Sequence, residues 1–385
     1  MNKEKQSSPF KFKNLGSQFW EEVDTDPLEA SYLIDLNPEA LKALGLDEKD
    51  IDWETWRAIH NGEIYLDGQK PICSYYSGHQ FGVWAGRLGD GRAHILGEVN
   101  GQELQLKGSG LTPFSRTADG RAVLRSTVRE YLAGEHLHAL GIPTTRSLGI
   151  LGSRTPVQRE EVESAAMMIR FTPSFIRFGT FEHFASGGQW NEVDRLLEFV
   201  RTTYYPHTNS TEEFFEDLTT RTAHLIAKWM AYGFCHGVMN TDNMSILGQT
   251  IDYGPYGFLE EFDPSHICNH SDYYGRYSFQ KQPEMAQWNL SMLARTLTAH
   301  LPVSKIQTIL DGLYWREFHE HFNTLLARRF GLPDEKSSHE LVGRFLQQME
   351  KKIDLNRFLR SISQKEYSFP KELAALENEY REKRR

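Results

Sequence analysis

The sequence predicts an α+β fold, and three observations carry that prediction. From Ser77 onward glycine is dense, at Gly78, Gly82, Gly86, Gly89 and Gly91. Just beyond it an Asn100-Gly101 pair separates two apolar-alternating runs, a strong signal for a two-residue hairpin. In the second half, over residues 190–206, 211–234, 284–301, 303–330 and 338–361, apolar residues recur at helical spacing.

Residues 1–60 read as an N-terminal extension. Ser31 to Leu36 is a short apolar stretch. Asn37 followed by Pro38 predicts a helix start, with Ala40 to Leu44 as its body and Gly45 as its stop. Asp52 to His60 predicts another short helix. Residues 61–180 form the predicted sheet-bearing part. There Ala93 to Val99 is one strand of the hairpin and Glu103 to Lys107 is its return. Leu104 and Leu106 face one side of the return strand, and Gln105 and Lys107 face the other, polar side. After Asp119-Gly120-Arg121 a helix is expected, with Leu124, Val128, Tyr131 and Leu132 as its apolar stripe and Gly141 with Pro143 as its end. Met167 to Phe171 reads as a strand. Residues 181–330 are mainly helical; Leu225, Ile226, Trp229 and Met230 are core positions of one such helix. Residues 331–385 are a helical tail, whose last stretch, Lys371 to Arg385, reads as a charged, solvated helix.

The composition removes several function classes. At 385 residues the chain has room for roughly two or three core-bearing units. No run of about 18 apolar residues occurs, so no membrane span is expected. The net charge of −9 gives no general attraction to nucleic acid or anionic lipid. Met1 to Phe12 has no apolar core of a secretory leader. Cys73, Cys235 and Cys268 are too few and too scattered for a disulfide framework or a zinc site, and each reads as a small buried residue. A cytoplasmic location is expected.

The chemistry concentrates at His236-Gly-Val-Met-Asn-Thr-Asp242-Asn243 and at Asp252, nine residues after that Asn. Kinase-like folds place two oxygen ligands for Mg²⁺ with this spacing. Their loop reads His-x-Asp-x-x-x-x-Asn, with the base two residues after the His. Here that position is Val238, which cannot take a proton, and an acid instead stands directly before the Asn, as Asp242. Upstream, Leu88-Gly89-Asp90-Gly91-Arg92 opens the hairpin and Lys107 closes it; exposed backbone N–H groups and a Lys can hold phosphate, although glycine clusters are more often plain turns. Glu130 follows Lys107 by 23 residues, on the next helix, where kinases keep the Glu that fixes their phosphate-binding Lys. Arg170 and Arg177 either clamp an anion or make ordinary carboxylate pairs. The His and Asp residues between His266 and Asp272 match no metal spacing and read as loop-packing groups.

Read together, these blocks resemble the selenoprotein O family, also called YdiU. The matching stretches are Tyr76 to Gly82, Leu88 to Arg92, Leu106 to Arg116, Asp119 to Glu130, Gly141 to Arg146, Arg177 to Phe184, His236 to Ser245, Asp252 to Pro255 and Cys268 to Asp272, in order along the chain. The resemblance implies a protein-kinase-like bilobal fold with a mixed α/β N-lobe, here 61–180, and a mainly helical C-lobe, here 181–330. It implies a pseudokinase that binds ATP reversed. Such an enzyme transfers AMP rather than phosphate to Ser, Thr or Tyr hydroxyls of proteins and releases pyrophosphate. Carried over, the nucleotide contacts are Gly89, Gly91, Arg92, Lys107, Asp119, Gly120, Arg170, Arg177 and Asp252. Asn243 and Asp252 hold Mg²⁺ or Mn²⁺, Asp242 accepts the proton and Glu130 orients Lys107. The hairpin between Arg92 and Lys107 is shorter than in many relatives. Some relatives carry a C-terminal Cys-x-x-Cys or selenocysteine motif; none follows Cys268, and control through such a bridge is not expected. Two rivals stand beside this reading: a kinase-like phosphotransferase, which Val238 disfavours, and a nucleotide-binding scaffold without activity, which has no need of Asn243 and Asp252.

Overall fold

The computed structural model describes residues 10–364 and 366–384. Most of the leader segment judged from Met1 to Phe12 lies outside these residues, as does Arg385 of the tail. The chain divides into two compact units: Met1–Thr208 with Asn240–Tyr253, and Asn209–Met239 with Gly254–Arg385.

The first unit is built on strands. They run β1 (Trp20–Glu22), β2 (Tyr32–Leu36), then the helices α1 (Pro38–Ala43) and α2 (Trp53–His60), then β3 (Ile72–Ser74), β4 (Gly78–Gln80), β5 (Val83–Ala85), β6 (Ala93–Val99), β7 (Gln102–Lys107) and β8 (Ala122–Val123). The helix α3 (Leu124–Ala139), the long strands β9 (Arg146–Gln158) and β10 (Val162–Thr172), and the helices α4 (Phe178–Ser186) and α5 (Trp190–Tyr204) complete it. The main sheet has the order β1-β3-β6-β7-β10-β9-β2, with β8 also on β10; its pairs are antiparallel. β4 and β5 form a separate hairpin.

The local signals act as expected at several points. Asn37 accepts a hydrogen bond from the Ala40 N–H and caps α1 with Pro38 in its first turn. Asn100 and Gly101, both at positive φ, make the two-residue turn between β6 and β7. Two expectations need correction. The polar side of β7 is not solvated: Gln105 is fully buried and Lys107 is 9% exposed. One face of the sheet packs Leu104 and Leu106 with α1 and α2 residues, and the other packs Met168 with Tyr131 of α3, so both faces are covered. On α3 the buried face is Thr127, Glu130, Tyr131, Gly134 and Leu137, a run at helical spacing. Leu132, expected in the stripe, is 60% exposed, and the charged Glu130 lies on the buried face instead.

The second unit is mainly helical: α6 (Thr211–Tyr232), the short pair β11 (Phe234–Cys235) and β12 (Gly257–Phe258), then α7 (Gln282–Arg295), α8 (Val303–Thr308), α9 (Trp315–Phe330), α10 (Lys336–Met349), α11 (Leu355–Ile362) and α12 (Glu377–Lys383). The expected helix over 338–361 is two helices. Lys351 takes a positive φ between them, and Asp354 caps α11 by accepting from the Arg357 N–H. The tail is not a solvated helix. Leu373, Leu376 and Tyr380 recur at helical spacing and are buried with Phe330, Phe345 and Phe358, and the Tyr380 hydroxyl donates to the Phe330 carbonyl at 2.8 Å. Side chains buried this completely contribute about 1.5–3 kcal/mol each, which outweighs the charge on the other face. Asp272 accepts from the Arg276 and Tyr277 N–H groups, the loop-packing role expected for it. Among the described residues no helix is long and apolar enough to cross a membrane.

Candidate active site

Strand register brings the first group together. Arg170 on β10 stands opposite Gln105 on β7, and Lys107 lies two residues further along β7, on the same face. Glu130 points at that face from α3. Its two carboxylate oxygens are divided: Lys107 Nζ lies 2.5 Å from Oε2 and Arg170 Nη1 lies 2.9 Å from Oε1. The remaining Arg170 donors go to Gln105 Oε1, at 2.8 and 2.6 Å, and to the Ile251 carbonyl, at 2.7 Å. Of the two alternatives for Arg170, the structure shows pairing within the protein. Burial pulls the Lys107 pKa down, Glu130 opposes that, and Arg170 adds to it.

Asp252 directly follows the carbonyl that Arg170 holds, and its carboxylate lies 3.7 Å from Lys107 Nζ. The segment that carries it is folded back on itself. Thr241–Asn243 is a single 3₁₀ turn, and an antiparallel bridge joins Met244 to Thr250, so Asn243 and Asp252 flank the same end of a tight loop. Three backbone bonds anchor this loop to the sheet unit: Phe178 N–H to Met244 O, Ile246 N–H to Ile176 O and Thr145 N–H to Thr250 O.

Asp242 sits in that 3₁₀ turn and is 6% exposed. Burial pushes its carboxyl pKa up to about 6, against the pull of Arg177 and of a hydrogen bond from Gln80. Its Oδ1 is buried and has no hydrogen-bond partner among the described residues. Arg177 does not pair with this carboxylate; its Nη1 donates to the Asp242 backbone carbonyl at 2.7 Å, and its guanidinium lies 4.6 Å from the centre of the Tyr76 ring. The charges of Asp90, Asp252 and Asp242 all act on Arg177, so these groups share one electrostatic neighbourhood.

The glycine loop has a packing reason for its glycines. Gly89 has φ near +81°, and a Cβ there would lie 2.3 Å from the Phe114 ring. A Cβ on Gly91 would lie 2.9 Å from the Phe114 carbonyl oxygen. Between them Asp90 is buried and accepts from the Ser74 N–H at 2.9 Å and the Ser74 hydroxyl at 2.6 Å. Arg92 is exposed, its carbonyl accepts from the Gly108 N–H, and its charge acts on Lys107. Asp119 is held by Arg159 at 2.7 and 3.1 Å, which keeps its carboxyl below the usual range. The Gly120 carbonyl accepts from the Gly110 N–H, three residues past Lys107.

Thus Lys107, Glu130, Arg170 and Asp252 form one connected group, Arg177 with Asp242 and Tyr76 a second, and Asp119 is engaged with Arg159. Sequence reasoning assigns no role to Gln80, Tyr76 or Asp90. The only signal was their place inside stretches that matched the family blocks. Among the described residues no three His, Cys, Asp or Glu side chains gather as a metal cluster. Asn243 and Asp252 offer an amide and a carboxylate, hard oxygen donors of the kind Mg²⁺ and Mn²⁺ take beside substrate phosphates.

Residues 4–383 match the family model described as protein adenylyltransferase SelO. A protein of Dechloromonas aromatica named protein nucleotidyltransferase YdiU is 45% identical over 367 residues, covering 91% of this chain and 73% of its own. Proteins of the same name from Myxococcus xanthus and Pseudomonas aeruginosa are each 46% identical, and the matches cover 74% and 75% of their lengths.

Proposed function

We propose, for a chain that belongs to the SelO family of protein adenylyltransferases and is thereby a nucleotidyltransferase, that it transfers AMP from ATP to Ser, Thr or Tyr hydroxyls of other proteins. The setting would be cytoplasmic, on a kinase-like bilobal frame. The observation that carries the proposal is the unpaired Oδ1 of Asp242 in a loop whose other end bears Asp252, beside Lys107.

In this reading the acceptor hydroxyl gives its proton to Asp242 as its oxygen attacks the α-phosphorus. The bond from that phosphorus to the bridging oxygen breaks, and pyrophosphate leaves. A carboxyl with a pKa near 6 suits a base at neutral pH, because it is ionised yet basic enough to take a proton. Lys107, held at one oxygen of Glu130, would neutralise the phosphate end. Arg92 and Arg177 would add charge where pyrophosphate accumulates it, with ATP lying phosphate-inward. Gly89, Gly91, Asp119 and Gly120 would line the nucleotide, and Arg170 would act on it through Glu130 and the Ile251 carbonyl. Asn243 and Asp252 would hold Mg²⁺ or Mn²⁺, whose charge would stabilise the leaving group.

Mass spectrometry of casein and of the chain itself after incubation with ATP tests this. Adenylyl adducts on hydroxyl side chains are expected. Phosphoryl adducts alone would replace the proposal with the phosphotransferase reading. ATP binding with no adduct would favour the inactive one.

A further inference from the structure

We infer that Gln80 is a positioning residue that holds the Asp242 carboxylate by one oxygen and so leaves Oδ1 as the atom that takes the proton. This rests on the assignment of Asp242 as the base.

β4 runs along the turn that carries Asp242. Three successive residues of this segment reach Asn240, Thr241 and Asp242, the start of the turn and the residue before it. The His79 N–H donates to Thr241 Oγ1 at 2.7 Å, Gln80 Nε2 donates to Asp242 Oδ2 at 3.2 Å, and the Phe81 N–H donates to Asn240 Oδ1 at 3.2 Å. The approach is close enough that Gly78 has no room for a side chain. A Cβ there would lie 2.8 Å from Thr241 Oγ1 and 3.0 Å from the Asp242 nitrogen. The strand is in turn fixed from behind, where His79 Nδ1 meets Glu182 Oε1 at 2.6 Å and Ser77 meets His183 Nδ1 at 2.8 Å.

The two backbone-centred contacts set the position of the turn. Of these three contacts, only that of Gln80 reaches the carboxylate. A buried Asp without a cation on its side chain is free to rotate about its last torsion, which is broad and two-fold. One donor on Oδ2 removes that freedom, and Oδ1 stays buried without a partner. A hydroxyl arriving at Oδ1 therefore meets a lone pair already in place, and the proton passes from the hydroxyl oxygen to Oδ1 while Oδ2 keeps its bond to Gln80. The motif around Tyr76 to Gly82, which the sequence marked without assigning a role, acquires one.

The test uses the full chain with casein as acceptor and compares Gln80→Met and Gln80→Glu with the parent. Gln80→Met keeps length without a donor; Gln80→Glu keeps shape but turns an acceptor toward Oδ2. Both should lower kcat about 10- to 100-fold, the scale of a misplaced reacting group, with KM for ATP and calorimetric ATP affinity changed less than about twofold. Tm should hold in both. In an Asp242→Asn background, Gln80→Met should have no further effect on kcat. Parental kcat in Gln80→Glu, or a loss that adds in full to that of Asp242→Asn, overturns the inference. Parental turnover in Asp242→Asn alone overturns the base assignment instead, so the two failures are distinct.

Discussion

Two buried charged groups of this chain are solved in opposite ways. Around Glu130 every charge has a partner: Lys107 on one oxygen, Arg170 on the other, and Gln105 and the Ile251 carbonyl on what Arg170 has left. Around Asp242 the nearest cation, Arg177, binds the backbone carbonyl, and one carboxylate oxygen stays unsatisfied. An unsatisfied buried acceptor costs roughly 1–3 kcal/mol. Under the proposed function the open group is the one that takes part in the chemistry. In that reading the closed group fixes geometry and the open one would take the proton.

The largest effect expected of that contrast is on rate. Asp242→Asn should lower kcat by roughly 10²–10⁴-fold, the scale for a lost general base, while calorimetric ATP affinity holds. A loss of ATP binding would make Asp242 a ligand rather than a base and would erase the contrast. Glu130→Ala attacks the closed side. It leaves Arg170 buried without its carboxylate partner and Lys107 with the more distant Asp252, and urea denaturation should show a loss of about 3–5 kcal/mol. A stability change near zero would mean that the cluster is solvated in solution.

A third prediction concerns the glycine loop. Gly89→Ala puts a methyl into the Phe114 ring at a positive φ, and a stability loss of about 1–3 kcal/mol is expected in the same assay. An unchanged midpoint with weakened ATP binding would assign the glycine to the nucleotide rather than to packing.

The smallest effect concerns a second buried acid, Glu103, to which the proposed function gives no role. Glu103 is fully buried, with one oxygen on the Phe175 N–H and the other unpartnered, and burial pushes its pKa up to about 8. A carboxyl whose folded pKa is raised binds its proton more tightly in the native state. Stability therefore falls as pH rises from the unfolded value of 4.5 towards about 8, and the penalty is complete above that. Glu103→Gln removes this dependence. The Tm gain of the variant over the parent should be small at pH 5 and grow towards pH 8. A gain that is flat with pH would show that Glu103 ionises freely.

Much of this contrast was legible in the residues. Asn37-Pro38, Asn100-Gly101 and the helical stripes act through local backbone preference, so the elements they mark follow from sequence. Lys107 with Glu130 was also legible, because strand and following helix set the spacing. What the alternation rule missed is that β7 is covered on both faces, since strand period says which side a residue takes and not what covers that side. Leu132 and the tail helix failed for the same reason: Glu130 displaced Leu132 from the buried face by finding two cations, and Leu373, Leu376 and Tyr380 outweighed the charges around them. Gln80 was out of reach, because its partner lies 162 residues away and no local pattern encodes that contact.

Under the proposed function this site moves the α-phosphoryl end of ATP. The most direct measurement incubates the chain and casein with ATP labelled at the α-phosphorus in one arm and at the γ-phosphorus in the other, and follows label onto protein. Label from the α arm alone, with pyrophosphate released, is the predicted result. Label from the γ arm alone would contradict it.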